Sequence, residues 1–183
     1  MIPRRLLAFV LGLALSLAAV PAWAAEDTAG LVVLMRHAEA PGFGDPPGMR
    51  VGDCATQRNL DDRGRAQARR MGEVLRERGI GRARVYSSQW CRCLDTARLL
   101  DLGPVEEMPA LNSTIGRPEE RAGKTADLRR FLAALPADGA PVVLVTHQVT
   151  ITALTGIHPA SGEAVLLRAG TADPPVLGRL KDR

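Results

Sequence analysis

Two apolar runs that each end in a histidine decide the fold: LVVLMRHA at residues 31–38 and VVLVTH at residues 142–147. Short runs rich in β-branched residues and bounded by turn residues are typical of strands buried in a parallel sheet. Ligands bind outside the carboxyl ends of such strands. The pattern therefore predicts that His37 and His147 face one ligand site.

A third run, at residues 83–86, ends in two serines and leads into a predicted helix that carries Arg92 in about its first turn. Arg36 directly precedes His37, so two guanidinium and two imidazole groups follow strand ends. The forked donors of arginine match a tetrahedral oxyanion. A phosphate group is the expected ligand.

Strands and helices alternate along the chain. Predicted strands cover residues 31–35, 82–86, 105–108, 142–145 and 164–168. Predicted helices run from an Asp61 N-cap to Gly79, from a Ser88 N-cap to residue 103, and over residues 125–135 and 148–154. This alternation predicts a three-layer α/β sandwich, with a mostly parallel sheet and helices on both faces. The long loop at residues 41–57, called the first loop below, is interpreted as a lid.

Residues 1–24 have the pattern of a signal peptide. Arg4 and Arg5 precede an apolar stretch at residues 6–20, and small residues end at Ala24. The stretch is shorter than the roughly 20 residues of a membrane-spanning helix. We expect export to the periplasm or secretion, no stable membrane insertion, and a single domain over residues 25–183.

The composition argues against a nucleic-acid partner. The net charge is only +4, the arginines are scattered along helical faces, and aromatic residues make up 3% of the chain. Few side chains are therefore present on which bases could stack.

Three cysteines would meet an oxidising compartment after export: Cys54, Cys91 and Cys93. A disulfide between two of them is expected, with Cys54 bonded to either Cys91 or Cys93. No Cys-x-x-Cys or His-x-x-x-His spacing occurs, so no metal site is predicted. A disulfide oxidoreductase is a minor alternative.

Three motifs together resemble the histidine phosphatase superfamily, also called phosphoglycerate mutase-like: RHAE at residues 36–39, SSQWCRCLDTA at residues 87–97 and VTH at residues 145–147. The resemblance extends over residues 31–168 and implies the phosphoglycerate mutase-like fold for a single histidine phosphatase domain, residues 25–183. The later part of the chain is similar to exported members such as the lipopolysaccharide core heptose phosphatases.

The resemblance implies that His37 is the nucleophile that accepts the phosphoryl group. A neutral imidazole keeps a free lone pair near pH 7 and needs no metal or other cofactor for attack. Arg36 and Arg92 would bind the nonbridging oxygens, and His147 would donate a further hydrogen bond in the transition state.

The family also uses a carboxylic acid to protonate the leaving oxygen. In some members an aspartate directly follows the second histidine, where this chain has Gln148. The remaining candidates are Glu119 and Glu120 at residues 109–123, and Asp45 and Asp53 in the first loop. Without a nearby acid, substrates with good leaving groups such as phosphohistidine would be favoured.

Arg58 and Gln148 are candidate substrate-binding residues, and Arg58 has the alternative role of orienting the first loop. The expected function is an exported phosphatase that acts on a small phosphorylated substrate, such as a sugar or lipopolysaccharide phosphate. The alternative is a non-catalytic anion-binding or envelope-interaction domain that retains the phosphate pocket.

Overall fold

The computed structural model describes residues 28–182, so the predicted signal peptide at residues 1–24 lies outside the described residues. A six-stranded sheet has the order β3-β2-β4-β1-β5-β6. Its strands are β1 (Leu31–Arg36), β2 (Arg84–Ser87), β3 (Val105–Glu107), β4 (Val142–Thr146), β5 (Ala164–Arg168) and β6 (Val176–Leu180). β1 to β4 are parallel, and β5 and β6 add antiparallel strands at one side. The prediction of a mostly parallel α/β sheet is confirmed.

Helices cover both faces of the sheet: α1 (Asp62–Glu77), α2 (Cys91–Leu100), α3 (Arg121–Ala134) and α4 (Gln148–Thr155). Because side chains alternate along a strand, β1 contributes to two apolar clusters. Val33 packs with Met71 of α1 and its neighbours, whereas Leu34 packs with Leu128 of α3 and its neighbours. This arrangement is the predicted three-layer sandwich.

Close contact between α1 and α2 depends on a glycine. A Cβ atom added at Gly72 would lie 2.3 Å from the carbonyl oxygen of Leu100. Asp61 caps α1 as predicted, since its side chain accepts a hydrogen bond of 2.8 Å from the Gly64 amide. The absence of a side chain at Gly72 thus lets α1 pack on the helix that carries Arg92.

Two helix boundaries differ from the prediction. Helix α2 begins at Cys91 with Trp90 as its N-cap, so the Ser88 cap was wrong. The Ser88 hydroxyl does not cap the helix and instead lies 2.8 Å from His147 Nε2 and 3.2 Å from Asn112 Oδ1. Helix α3 begins at Arg121 rather than residue 125, because a 3-10 turn at Pro118–Glu120 leads directly into it.

The C-terminal strand β6 has no counterpart in the predicted elements. It pairs antiparallel with β5 at the edge of the sheet. Val176 and Leu177 are 45% and 47% exposed, so the strand lacks the alternation of buried and exposed residues on which strand prediction depends. Within residues 28–182, no helix is both long and apolar enough to cross a membrane.

Candidate active site

The two histidines meet because β1 and β4 are neighbouring parallel strands. Arg36 is paired with Thr146 across the sheet, and the residue after each is a histidine. The His37 amide donates to the Thr146 carbonyl at 2.9 Å. The two imidazole rings are edge to face, with centroids 5.5 Å apart. We call the group formed by Arg36, His37, Arg92 and His147 the phosphate cradle.

The two ring nitrogens of His37 have different partners, which fixes the position of the ring proton. Nδ1 lies 2.8 Å from the Ala38 carbonyl oxygen, which can only accept, so Nδ1 carries the proton. Nε2 therefore keeps its lone pair and accepts a 3.2 Å hydrogen bond from Nε of Arg92. Burial, followed by the charge of Arg92, lowers the pKa of His37 to about 3. The imidazole is neutral at physiological pH, as nucleophilic attack requires.

His147 is also buried and neutral. Burial, followed by the charge of His37, holds its pKa well below the ordinary value. Its Nε2 lies 2.8 Å from the Ser88 hydroxyl and 3.5 Å from the Cys93 thiol. The edge of the Trp90 ring packs against the imidazole at 5.4 Å between centroids. These contacts orient the second ring of the phosphate cradle.

Arg92 joins the nucleophile to an acidic side chain. Its Nη1 and Nη2 donate to the two carboxylate oxygens of Asp45 at 2.6 and 3.0 Å, while Nε faces His37. Burial favours a raised pKa for Asp45, but the hydrogen bonds and charge of Arg92 outweigh it and lower that pKa. An ionised carboxylate thus occupies the guanidinium fork, whose geometry suits the paired oxygens of an anion.

Arg36 brings a second positive charge to the phosphate cradle. Its Nη1 donates to the Pro159 carbonyl at 3.1 Å, whereas its buried Nε has no hydrogen-bond partner among the described residues. Burial and the charge of Arg92 lower the pKa of Arg36. An unsatisfied buried donor beside a second cation favours the binding of an anion.

A turn at residues 159–163 supports Arg36 and His37. The Arg36 amide donates to the Glu163 carbonyl, and the Gly162 amide donates to the His37 carbonyl, both at 3.0 Å. The Glu163 carboxylate accepts from the Ala160 amide at 2.9 Å and forms an ion pair with an arginine of β6. Glu163 therefore stabilises the turn on which Arg36 and His37 depend.

The two predicted substrate-binding residues have different positions. The Arg58 guanidinium donates to the carbonyls of Ala40 and Gly44, which matches its alternative role in orienting the first loop. The Gln148 side chain donates to Thr152 of its own helix at 3.0 Å. Arg58 lines the cavity described next, and Gln148 does not.

A cavity of about 450 Å³ adjoins the phosphate cradle. Its lining residues include Asp45, Arg58, Trp90, Arg92 and Arg117. His37 is 3% exposed and does not line it, so Arg92 and Asp45 separate the nucleophile from the open space. A wider depression of about 550 Å³, on α3 and α4, contains no residue of the cradle.

The four candidate carboxylates differ in their contacts. Asp53 pairs with the exposed Arg50, and Glu120 pairs with Arg117 and Lys124. Glu119 is exposed. Asp45 alone of these candidates is hydrogen-bonded to a residue of the phosphate cradle.

The structure distinguishes between the two predicted disulfide pairings. Cys54 is bonded to Cys91, which joins the first loop to the start of α2, and Cys93 is free and buried. Burial raises the pKa of the Cys93 thiol to about 12. A protonated, buried thiol is a poor nucleophile, so the site does not fit a disulfide oxidoreductase. Within residues 28–182, no group of three or more His, Cys, Asp or Glu side chains could hold a metal ion.

The sequence did not point to three residues that shape this site: Ser88 as a partner of His147, Trp90, and Asn112. Ser88 and Trp90 lie within the motif at residues 87–97, just before Arg92. Their short distance from Arg92 along the chain was the feature that could have marked them as site residues. Asn112 Oδ1 accepts from the Gln89 amide and lies 3.2 Å from the Ser88 hydroxyl, across a turn that no sequence pattern marks.

The fold and the site together define an α/β protein in which two strand-end histidines and two arginines converge, an arrangement that suits an oxyanion. Residues 32–125 match the family model of the histidine phosphatase superfamily, branch 1. The chain belongs to this superfamily, the family of the histidine-type phosphatases, and the sequence-based prediction of the family is confirmed. The search of curated proteins gave no match.

Solved structures share the fold at low sequence identity. A protein histidine phosphatase SixA complexed with tungstate is 16% identical, with a TM-score of 0.59, over 83% of this chain and 97% of that chain. A putative phosphohistidine phosphatase SixA from Nakamurella multipartitia is 22% identical, with a TM-score of 0.62, over 84% and 96%. A phosphoserine phosphatase mutant from Entamoeba histolytica in complex with phosphoserine is 15% identical, with a TM-score of 0.56, over 81% and 95%. These similarities support the phosphoglycerate mutase-like fold.

Proposed function

We propose that this protein is an exported phosphatase that hydrolyses a phosphomonoester through a phosphohistidine intermediate on His37. The observation that carries the proposal is the geometry at His37: Nδ1 is held by the Ala38 carbonyl, and Nε2 faces the guanidinium of Arg92. This arrangement combines a neutral nucleophile with a cation that stabilises the phosphoryl oxygens.

In the first step Nε2 of His37 attacks phosphorus and the bond to the leaving oxygen breaks. Arg92 and Arg36 bind the nonbridging oxygens, and the unsatisfied Nε of Arg36 supplies one donor. The Ala38 carbonyl stabilises the proton on Nδ1 as the ring gains positive charge. In the second step water attacks the phosphohistidine and releases inorganic phosphate.

The substrate is proposed to be a small phosphorylated compound. A sugar or lipopolysaccharide phosphate is proposed from the similarity of the motifs to exported heptose phosphatases. A phosphohistidine substrate is the alternative suggested by the names of the SixA relatives. The cavity beside Arg92 has space for a leaving group of modest size, since its volume is about 450 Å³.

Export is proposed on the signal-peptide pattern of residues 1–24, and the Cys54–Cys91 disulfide supports an oxidising compartment. Expression of the full chain followed by N-terminal sequencing of the periplasmic and medium fractions tests this. A mature protein that begins at Ala25 is expected. Uncleaved protein confined to the cytoplasm would contradict export.

The activity is tested with p-nitrophenyl phosphate and a panel of sugar phosphates, together with rapid mixing and an alkaline quench, because phosphohistidine is stable in base and hydrolyses in acid. His37→Ala is expected to abolish turnover and the phosphoenzyme, whereas His158→Ala, at a histidine outside the cradle, is the matched control. Wild-type turnover no faster than that of His37→Ala on every substrate would reject a phosphatase.

The second candidate function is a non-catalytic anion-binding or envelope-interaction domain. Two observations favour it: the Arg92 fork already holds Asp45, and Gln148 stands where some members have an aspartate. It predicts phosphate binding by calorimetry in the micromolar range with no phosphoenzyme. A His37-dependent burst of product would exclude it.

A further inference from the structure

We propose that Asp45 is the catalytic acid that protonates the leaving oxygen in the reaction proposed above, an inference that rests on that reaction. Four carboxylates were candidates from the sequence. Asp45 alone of the four is hydrogen-bonded to the phosphate cradle, and its side chain is only 17% exposed. The first loop, not the later loop at residues 109–123, therefore supplies the acid.

Asp45 and His37 contact different nitrogen atoms of the Arg92 guanidinium group. A single guanidinium group lies between them, since Arg92 uses Nε toward His37 and Nη1 and Nη2 toward Asp45. The nucleophile and the leaving oxygen occupy opposite sides of the transferred phosphorus. Asp45 lines the open cavity and His37 does not, so Asp45 lies on the side from which a leaving group would depart.

Two further donors hold the carboxyl group independently of Arg92. The indole Nε1 of Trp90 donates to Oδ2 at 3.1 Å, and the backbone amide of Arg58 donates to Oδ1 at 3.4 Å. When a phosphoryl group takes the fork of Arg92, these two contacts keep Asp45 beside the substrate. The disulfide between Cys54 and Cys91 ties the same loop to the helix that carries Arg92.

Substrate binding supplies the proton that the resting carboxylate lacks. The paired Asp45 is ionised, but a phosphate that replaces it on Arg92 removes its cationic partner and brings negative charge next to it, and both effects favour the protonated form. A phosphomonoester monoanion carries one proton on a nonbridging oxygen, and this proton passes to Asp45.

Atoms and charges are conserved over the two steps. The bond from His37 Nε2 to phosphorus forms, the phosphorus–oxygen ester bond breaks, and Asp45 gives its proton to the departing oxygen, which leaves as an alcohol. In the second step the Asp45 carboxylate takes a proton from the attacking water as the nitrogen–phosphorus bond breaks. Inorganic phosphate, neutral His37 and protonated Asp45 result, and this proton leaves with the phosphate product.

The test compares Asp45→Asn on two probes that differ in leaving group: p-nitrophenyl phosphate, whose phenolate departs readily, and glycerol 2-phosphate, whose alkoxide needs a proton. We expect kcat/KM for glycerol 2-phosphate to fall about 10²- to 10⁴-fold, the usual contribution of general acid catalysis, and that for p-nitrophenyl phosphate to fall less than about tenfold. Asp53→Asn, in the same loop but paired with exposed Arg50, is the matched control and should leave both values unchanged.

An equal fall on both probes in a folded variant, no change, or a rise on both would overturn the assignment. A rise on both would show that the carboxylate only competes with substrate for Arg92. Should Asp45→Asn fold poorly, Asp45→Glu is used instead, because it keeps an acid in place. We expect this variant to retain the wild-type ratio of kcat/KM between the two probes. A ratio shifted toward p-nitrophenyl phosphate by tenfold or more overturns the assignment. Absence of His37-dependent turnover in the wild type instead rejects the proposed function itself.

Discussion

The hydroxyl of Ser88 lies 2.8 Å from Nε2 of His147. The hydroxyl has a single proton, and this contact is shorter than the 3.2 Å contact with Asn112 Oδ1, so we assign the proton to the hydrogen bond with Nε2. The ring proton of the neutral His147 then resides on Nδ1, where it can serve as a hydrogen-bond donor to an oxyanion. Ser88 is thus a positioning residue that acts through His147. The Trp90 amide donates to the same hydroxyl oxygen at 3.4 Å and holds it in place.

We expect Ser88→Ala to lower kcat about 10- to 100-fold with little change in KM, because the hydrogen bond from His147 strengthens in the transition state. Ser88→Thr retains a hydroxyl and should restore most of the activity. Steady-state kinetics on p-nitrophenyl phosphate distinguish the two variants. Equal loss of activity in Ser88→Ala and Ser88→Thr would argue for a steric role of this position.

The depressed pKa of His37 predicts a dependence of stability on pH. The folded protein binds this proton only near pH 3, whereas the unfolded chain binds it near pH 6.5, so stability is lost as the pH falls below 6.5. Between pH 7.5 and pH 5 the free energy of unfolding should fall by about 2 kcal/mol on account of this group. His147 adds a loss of the same sign.

Urea unfolding at the two pH values measures this effect. His37→Asn removes the titrating group and should flatten the dependence, while His158→Asn, at a position outside the phosphate cradle, should leave it intact. The same pH slope in His37→Asn as in the wild type would contradict a buried, neutral His37.

The disulfide between Cys54 and Cys91 should contribute strongly to stability, since it closes a loop across a sequence separation of 37 residues. Removal is expected to lower the free energy of unfolding by about 3–4 kcal/mol. Thermal unfolding with and without dithiothreitol measures it, and Cys54→Ser serves as the control that dithiothreitol should no longer affect. A reductant-sensitive melting temperature in Cys54→Ser would exclude this pairing.

Gly72→Ala should destabilise the protein because the added methyl group would lie 2.3 Å from the Leu100 carbonyl oxygen. Separation of α1 from α2 is expected to cost about 2–4 kcal/mol, as in other overpacked contacts between helices. Gly123→Ala is the matched control in α3, where nothing lies within 4 Å of the added atom. That variant should be neutral or more stable by up to about 1 kcal/mol in the same chemical-denaturation experiment.

Much of the fold could be predicted because its signals are local. The continuous apolar run of β1 and the helical spacing of apolar residues in α1 can both be recognised from consecutive residues. The edge strand β6 escaped prediction because exposure of Val176 and Leu177 removes that periodic signal. The Ser88 cap was wrong because a long-range partner, His147, competes for the same hydroxyl.

Part of the candidate site could likewise be predicted from the sequence, and part could not. The motifs placed Arg36, His37 and His147 at strand ends and Arg92 in the first turn of a helix, whereas the adjacency of β1 and β4 was established by the structure. The four candidate carboxylates could not be separated by sequence. Their relation to Arg92 depends on the path of two irregular loops, which turn residues constrain only weakly.

By itself, the amino-acid sequence determined the family, the α/β architecture and the identity of the four cradle residues, because short motifs and hydrophobic periodicity act over a few neighbouring positions. The tertiary structure alone decided that Cys54 joins Cys91, that Asp45 binds Arg92 and that Ser88 contacts His147. Each of these contacts joins residues 37 to 59 positions apart, so it depends on how loops and helices pack after the sheet has formed.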